Sequence, residues 1–142
     1  MENLVIASDH AAYDLKEVLK KKLLSQDYSV EDLGCHSKDS VHYPDIAKQL
    51  AEYVLKHKCR GVLLCGSGIG VSITANRYPG IYAALVTSVE MAEMSRRHNH
   101  SNVVIMGSRF ISPELAEDIL DKWLNTEPEL GRHQERVAMI DA

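Results

Sequence analysis

The sequence predicts an α/β domain in which helices cover both faces of a five-stranded parallel sheet, a three-layer sandwich. Five short apolar runs alternate with segments whose apolar residues recur every three or four positions, the spacing of amphipathic helices. The apolar runs are nearly continuous, as in parallel strands that are buried on both faces. A length of 142 residues is typical of one domain with its own core. We therefore expect residues 1–142 to form a single Rossmann-like domain.

The N-terminal half of the chain predicts two strands and two helices. Residues 4–7 are apolar, and residues 12–23 carry apolar side chains at helical spacing. Residues 28–33 predict the second strand, and the polar residues 34–42 predict a loop. Pro44 suits the first turn of the next helix, where its missing N–H has no partner to lose. The expected apolar face of that helix consists of Ile46, Ala47, Leu50, Ala51, Val54 and Leu55.

The C-terminal half continues the alternation. Apolar runs predict strands at residues 62–65, 81–86 and 103–106, and helical spacing predicts helices at residues 69–77 and 88–97.

Two more helices close the chain. Ser112, Pro113 and Glu114 combine an N-cap, a first-turn proline and an acidic residue, and so predict a helix start. The apolar face of this helix consists of Leu115, Ala116, Ile119, Leu120, Trp123 and Leu124. A short final helix is expected at about residues 132–140.

Composition excludes several classes of partner. A net charge of −4 argues against nucleic acid and anionic membranes, and no apolar run approaches the roughly 20 residues of a membrane span. Residues 1–10 carry no basic leader of the kind that begins a signal peptide. Cys35, Cys59 and Cys65 are odd in number and lack C-x-x-C spacing, which is typical of reduced thiols. We expect a cytoplasmic protein, with Cys35 and Cys59 structural.

The segment 65–70 has the most informative chemistry. Cys65 ends an apolar strand and is followed by glycines at 66, 68 and 70, then by a helix start. Glycines at this spacing let backbone N–H groups turn toward an anion, and the helix N-terminus adds its dipole. The same field would stabilise a thiolate at Cys65. A base beside an anion hole is suited to removing a proton from carbon and holding the enolate that results.

Other interpretations of this segment stay open. A cysteine at the end of a buried strand is often a small core residue. A dinucleotide site is the main rival, and Glu90 lies at about the expected distance downstream. Its fingerprint is G-x-G-x-x-G, however, whereas the glycines here fall as G-x-G-x-G. A Walker loop is excluded because no Gly-Lys-Ser/Thr follows.

Unusual residues also follow the first and fifth predicted strands, at Asp9, His10 and residues 107–109. Ligands of parallel α/β sheets bind beyond the carboxyl ends of the strands, so these residues should meet Cys65 there. A carboxylate and an imidazole at that edge suit sugar hydroxyls and a phosphate. The alternative is that Asp9 is only an N-cap and His10 a surface residue.

Two polar groups lie outside these loops. His98 and Asn99 end the fourth helix, and Arg132 and Arg136 are four residues apart on one face of the last helix, so they can converge on one anion. The alternative for the arginines is a solvated charged face. A metal site formed by His98 and His100 lacks an acidic or thiol ligand at suitable spacing.

Taken together, the motifs resemble one family, ribose-5-phosphate isomerase type B, which includes the allose-6-phosphate and galactose-6-phosphate isomerases. The resemblance covers nearly the whole chain, with its motifs in register. They are Asp9-His10, Tyr43-Pro44, Cys65-Gly66-Ser67-Gly68-Ile69-Gly70, His98-Asn99, Gly107-Ser108-Arg109 and Gly131-Arg132-His133-Gln134-x-Arg136.

The resemblance implies an aldose–ketose isomerase of the pentose phosphate pathway that needs neither metal nor organic cofactor. It implies that Cys65 is the carbon base, that His98 opens the furanose ring, and that Asp9 and Ser67 handle hydroxyls. The implied enediolate hole is formed by the amides of Gly66, Ser67, Gly68, Ile69 and Gly70. The implied substrate contacts are Asp9, Tyr43 and Asn99, with the phosphate held by His10, Arg109, Arg132 and Arg136.

Family members are typically homodimers, some of them dimers of dimers, with each active site at the subunit interface. The resemblance therefore implies that the C-terminal helix reaches the partner, and we expect Cys65 and Arg109 to serve different sites. Ser67 stands where many members carry Thr, and no Glu near Thr74 replaces the thiol as base. Two alternatives remain: an allose- or galactose-6-phosphate isomerase, and a non-catalytic nucleotide-binding module.

Overall fold

The computed structural model describes all residues, Met1–Ala142, and contains one five-stranded sheet. The strands lie in the order β2-β1-β3-β5-β4, and every neighbouring pair is parallel. The predicted fold class is therefore confirmed. The strands are β1 (Asn3–Ser8), β2 (Ser29–Asp32), β3 (Arg60–Cys65), β4 (Ala83–Leu85) and β5 (Val103–Gly107).

Six α-helices connect and follow the strands, as the periodicity predicts. They are α1 (Tyr13–Ser25), α2 (Tyr43–His57), α3 (Ile69–Ala75), α4 (Val89–Arg97), α5 (Pro113–Leu124) and α6 (Arg132–Ala138). A turn of 3₁₀-helix at His10–Ala12, which periodicity over so few residues cannot reveal, precedes α1. The strand predicted at residues 81–86 is shorter, because only Ala83–Leu85 pair with β5. None of the helices is long and apolar enough to cross a membrane.

The sheet separates two apolar layers. One face packs on α1, α4 and α5 around Trp123, which is fully buried and donates its indole N–H to Ser101 at 2.7 Å. The other face packs on α2 and α3. The predicted apolar face of α2 is buried from Ile46 to Val54. The prediction that Leu55 belongs to this face is wrong, because Leu55 lies at its margin and is 39% exposed.

The strand order creates the crevice that holds the polar loops. From β1 the chain moves to one side to form β2, and β3 then pairs on the opposite side of β1. β1 and β3 are neighbours, and Ser8 pairs with Leu64 near their carboxyl ends. The loops that follow these two strands therefore diverge from each other. A reversal of this kind opens a ligand crevice at the carboxyl edge of a parallel sheet.

A buried ion pair joins α1 to the end of β2. The Lys16 side chain is fully buried, and its Nζ lies 2.6 Å from Asp32 and 2.9 Å from Glu17. Burial opposes the charge of Lys16, but hydrogen bonds to the two carboxylates outweigh burial and raise its pKa. Burial likewise acts against the charge of Asp32, yet hydrogen bonds from Lys16, the Gly34 N–H and Lys20 hold its pKa below the ordinary value.

Removal of the Asp32 charge should destabilise the fold. We expect Asp32→Asn to lower the free energy of unfolding by about 3 kcal/mol, because the buried Lys16 loses its closest counter-ion. Since the Asp32 pKa is depressed on folding, its contribution is present at neutral pH and is lost as pH falls through the folded-state value. Urea denaturation at pH 7 and near pH 3 measures both effects.

The matched control is Asp14→Asn. Asp14 pairs with Lys38 at 3.2 Å, but both side chains are largely exposed, so no measurable loss is expected. Equal stability of Asp32→Asn and the parent protein at pH 7 would contradict a stabilising role for the pair.

Candidate active site

In the loop after β3, one backbone N–H group donates to a thiol and the next donates to a hydroxyl. The N–H of Gly68 donates to Sγ of Cys65 at 3.1 Å, and Cys65 is 5% exposed. The N–H of Ile69 donates to Oγ of Ser67 at 3.1 Å, which fixes the hydroxyl at the mouth of the same loop. Sγ of Cys65 therefore accepts a directed backbone hydrogen bond at the end of its strand, so Cys65 does more than fill space in the core.

Two glycines are required by this loop. Gly68 has a φ of +82°, and a Cβ there would lie 2.5 Å from the Leu85 side chain. Gly107, at the end of β5, packs so closely that a Cβ would collide with the backbone carbonyl of Ser67. Backbone cannot move aside as a flexible side chain does. β5 therefore fixes the distance between the loop 66–70 and the sheet.

Side chains from three other segments surround the thiol. They enclose a cavity of about 560 Å³, which we name the loop cavity. The Tyr43 ring packs against Gly70 where a Cβ would otherwise sit, and the Arg109 guanidinium packs against Gly66. The predicted residues that line the cavity are Asp9, His10, Tyr43, Cys65, Gly66, Ser67, Ile69, Gly70 and Arg109.

Asp9 and His10 are both held by backbone N–H groups. Oδ1 of Asp9 accepts from the N–H of Ala12 at 3.2 Å, so the N-cap interpretation is correct, although Asp9 still lines the cavity. Nδ1 of His10 accepts from the N–H of Val41 at 3.2 Å. A neutral imidazole that accepts at Nδ1 carries its proton on Nε2, so His10 is left with a donor for a ligand.

The remaining predicted residues lie elsewhere in the chain. His98, Asn99 and Arg136 line a second cavity of about 400 Å³ together with His133, which we name the helix-end cavity. It lies between the C-terminus of α4 and α6. Arg132 is exposed at the start of α6 and lines neither cavity. One chain therefore carries the predicted site as two separate halves.

Sequence reasoning missed Glu129, which organises the helix-end cavity. Its carboxylate accepts from Nε of Arg97 at 2.6 Å and lies 3.8 Å from Nε2 of both His98 and His133. The hydrogen bond from Arg97 lowers the pKa of Glu129, and partial burial together with the nearby His98 lowers the pKa of His133. Arg97 and His98 are about thirty positions from Glu129, so no local spacing links them to it, but His133 lies four residues away, and that spacing is a signal that the sequence does offer.

The same three side chains are the group that could hold a cation. Ligand atoms of His98, Glu129 and His133 lie within 4.8 Å of one another. His100 is not part of this group, because its Nε2 faces the backbone carbonyl of Glu129 at 2.7 Å. The rings of His98 and His133 stack at an interplanar angle of 11°, so their in-plane lone pairs lie in separate, nearly parallel planes.

Comparison with known proteins identifies the chain. A sequence profile described as Ribose/Galactose Isomerase matches residues 4–140. The chain belongs to the ribose/galactose isomerase family. Ribose-5-phosphate isomerase B of Escherichia coli is 38% identical over 143 residues, which cover 100% of this chain and 96% of the relative. The family resemblance drawn from the sequence is therefore confirmed.

Solved structures of the family have the same fold. A ribose 5-phosphate isomerase from Thermotoga maritima is 46% identical and superposes with a TM-score of 0.96, over 99% of this chain and 97% of that one. Ribose-5-phosphate isomerase B of Mycoplasma genitalium, crystallised with bound ribulose-5-phosphate, is 38% identical with a TM-score of 0.93, over 97% and 93% of the two chains. The loops described above therefore belong to an established isomerase fold.

The contact between Gly107 and Ser67 yields a prediction. We expect Gly107→Ala to lower the free energy of unfolding by about 2 kcal/mol, because the new methyl group meets backbone that cannot yield. Gly66→Ala is the control, since its Cβ would meet only the flexible end of Arg109 at 3.1 Å. Thermal and urea denaturation compare the two variants, and an equal or larger loss for Gly66→Ala would contradict the assignment.

Proposed function

We propose that the protein interconverts D-ribose 5-phosphate and D-ribulose 5-phosphate without metal or organic cofactor. The observation that carries the proposal is the Gly68 N–H bond to the Cys65 thiol, inside a cavity with a hydroxyl, a carboxylate and an arginine. Family membership and the ribulose-5-phosphate complex of the Mycoplasma genitalium relative support it. The profile description also names galactose, but the Escherichia coli, Thermotoga maritima and Mycoplasma genitalium relatives are all ribose-5-phosphate isomerases, which favours the pentose phosphate.

The chemistry assigns one role to each group. His98 opens the furanose to the aldehyde. The Cys65 thiolate then removes the proton from C2, and the electron pair delocalises onto the oxygen of C1 to give an enediolate. In the segment 66–70 the N–H groups of Gly66, Ser67 and Gly70 are not committed to Sγ of Cys65 or Oγ of Ser67, and they stabilise that oxygen as preorganised donors do in other oxyanion holes. Return of the proton to C1 completes the ketose, with Ser67 and Asp9 handling the hydroxyl protons.

Phosphate and sugar contacts divide between the two cavities. His10 and Arg109 offer donors in the loop cavity, whereas Arg136 lines the helix-end cavity with Asn99, and Arg132 is exposed one turn earlier on α6. Arginine suits a phosphate because its guanidinium donates two parallel hydrogen bonds. Tyr43, packed on Gly70, provides the wall for the sugar carbons.

A second copy of the chain would unite the halves. We infer a homodimer, or a dimer of such dimers, in which the helix-end cavity of one protomer faces the loop cavity of its partner. Exposed apolar side chains beside both cavities, Ile69, Ile73, Met139 and Ile140, support such contact. The proposed substrate fits an enzyme of cytoplasmic carbohydrate metabolism.

The direct test is a coupled assay with ribose 5-phosphate in the presence of a chelator. Turnover should persist in EDTA, and Cys65→Ala should lower kcat by about 10³-fold or more, because the step has lost its base. Cys65→Ser should be almost as poor, and iodoacetamide should inactivate the parent enzyme unless substrate protects it. Cys59→Ala, outside both cavities, should retain full activity.

Three results would contradict this function. They are near-native turnover by Cys65→Ala, faster turnover of allose 6-phosphate or galactose 6-phosphate than of ribose 5-phosphate, and nucleotide binding without any isomerase activity.

Mixed dimers test the shared site. We expect Cys65→Ala to be nearly inactive at any substrate concentration, and Arg136→Ala to be nearly inactive at low substrate concentration. Mixing them should restore up to about a quarter of the parent activity, since random exchange forms hybrids with one intact site. Arg109 lines the loop cavity beside Cys65, so the expectation that these two residues serve different sites is wrong. The pair Cys65→Ala and Arg109→Ala is the control that should not recover.

Failure of the first pair to recover, after mass spectrometry has confirmed subunit exchange, would place both halves in one chain's own site.

A further inference from the structure

Glu129 ties the end of α4 to the segment that leads into α6. Its backbone N–H donates to the carbonyl of Arg97 at 2.9 Å, and its own carbonyl lies 2.7 Å from Nε2 of His100. These two contacts bracket His98 in the chain. The course of the backbone at His98 therefore depends on residue 129, which belongs to none of the sequence motifs.

The carboxylate of Glu129 also faces the His98 side chain. Oε2 lies 3.8 Å from Nε2 of His98, and Oε1 lies 3.8 Å from Nε2 of His133. The two imidazole rings stack with their centroids 4.1 Å apart. One carboxylate is thus within ion-pair range of two stacked imidazoles, and it can offset a positive charge on either ring.

Arg97 keeps this carboxylate charged and in position. Its Nε donates to Oε2 of Glu129 at 2.6 Å, and this hydrogen bond lowers the pKa of Glu129 despite the opposing effect of burial. Three other charged groups face the cluster: Glu93, 3.6 Å from Arg97 on α4, and Arg132 and Arg136, whose positive charges act on His133 from α6. Glu129 is the carboxylate that reaches His98.

We propose that Glu129 is a positioning residue for sugar-ring opening: it orients the His98 imidazole and balances the positive charge that His98 carries as an acid. The proposal rests on the proposed isomerase function. A cation stacked on a second imidazole and close to Arg97 and Arg136 is unfavourable unless a fixed negative charge offsets it. Glu129 supplies that charge from a site that need not touch the substrate.

Ring opening is the step that this arrangement serves. The His98 imidazolium gives its N–H proton to the ring oxygen O4 while the electron pair of the C1–O4 bond moves onto O4. The O1 hydroxyl gives its proton to water, which leaves the C1=O1 aldehyde. His98 then regains a proton from solvent, so the step is balanced without an oxidant or a reductant.

Ribulose 5-phosphate allows ring opening to be separated from carbon chemistry. It is acyclic, because the phosphate occupies the C5 oxygen that would close a furanose ring on C2. Loss and return of a C1 proton therefore require Cys65 and the enediolate hole, but not His98. Deuterium uptake at C1 of ribulose 5-phosphate in D₂O, followed by NMR, measures this half of the reaction alone.

The decisive variant is Glu129→Gln, which keeps the shape and removes the charge. Its turnover of ribose 5-phosphate should fall about tenfold to a hundredfold, as misplaced catalytic groups typically cause. Its deuterium uptake into ribulose 5-phosphate should stay within about twofold of the parent enzyme, because the carbon base is untouched. Glu129→Asp, which retains the charge on a shorter side chain, should show the same split to a smaller degree and serves if the Gln variant fails to fold.

Glu93→Gln is the matched control. It removes the other carboxylate beside Arg97 but does not reach His98, so both rates should match the parent enzyme. An equal fall of the two rates in both Glu129 variants would indicate a structural role and overturn the proposal, as would unchanged turnover. A parent enzyme that neither isomerises ribose 5-phosphate nor exchanges the C1 proton would instead overturn the proposed function.

Discussion

The close approach of β5 to the loop after β3 is the constraint on which the rest of the site depends. Gly107 lies against the Ser67 carbonyl with no room for a Cβ. This contact fixes the position of the loop 66–70 relative to the sheet. With the loop in this position, the N–H of Gly68 donates to Sγ of Cys65 at 3.1 Å. Two adjacent parallel strands thus set the position of the Cys65 thiol and its hydrogen-bond donor together.

The loop cavity is connected to the buried ion pair on the far side of β1. Asp32, neutralised by Lys16, accepts the N–H of Gly34 at 2.9 Å, and the Gly34 carbonyl accepts the N–H of Ser8 at 2.7 Å. The segment that begins there continues to Val41, whose N–H sets the tautomer of His10. A charge pair in the core therefore anchors one end of the loop that orients the His10 imidazole.

The two halves of the proposed site are built by different means. In the loop cavity, backbone N–H groups and tightly packed glycines hold Cys65 on the rigid end of a strand. In the helix-end cavity, side chains hold one another: Arg97 fixes Glu129, and Glu129 faces the stacked pair of His98 and His133. Charge-assisted contacts between partly exposed side chains allow more adjustment than backbone packing does. This difference suits the proposed roles of the two residues: Cys65 as a rigidly held carbon base, and His98 as an acid that adjusts to a flexible sugar ring.

The sequence by itself determined the α/β class, the order of the strands and helices along the chain, the family, and the candidate site residues Cys65, His98 and Arg136. It also indicated that residues 107–109 lie near Cys65, because the ends of parallel strands share one edge of the sheet. These predictions depend on local spacing and on short continuous motifs. Only the tertiary structure decided that Arg109 lines the same cavity as Cys65 within one chain, that His98 lies in a separate cavity, and that Glu129 joins it. Such contacts link segments about thirty or more residues apart, and their geometry is fixed by the packing of whole helices and strands, which no local spacing encodes.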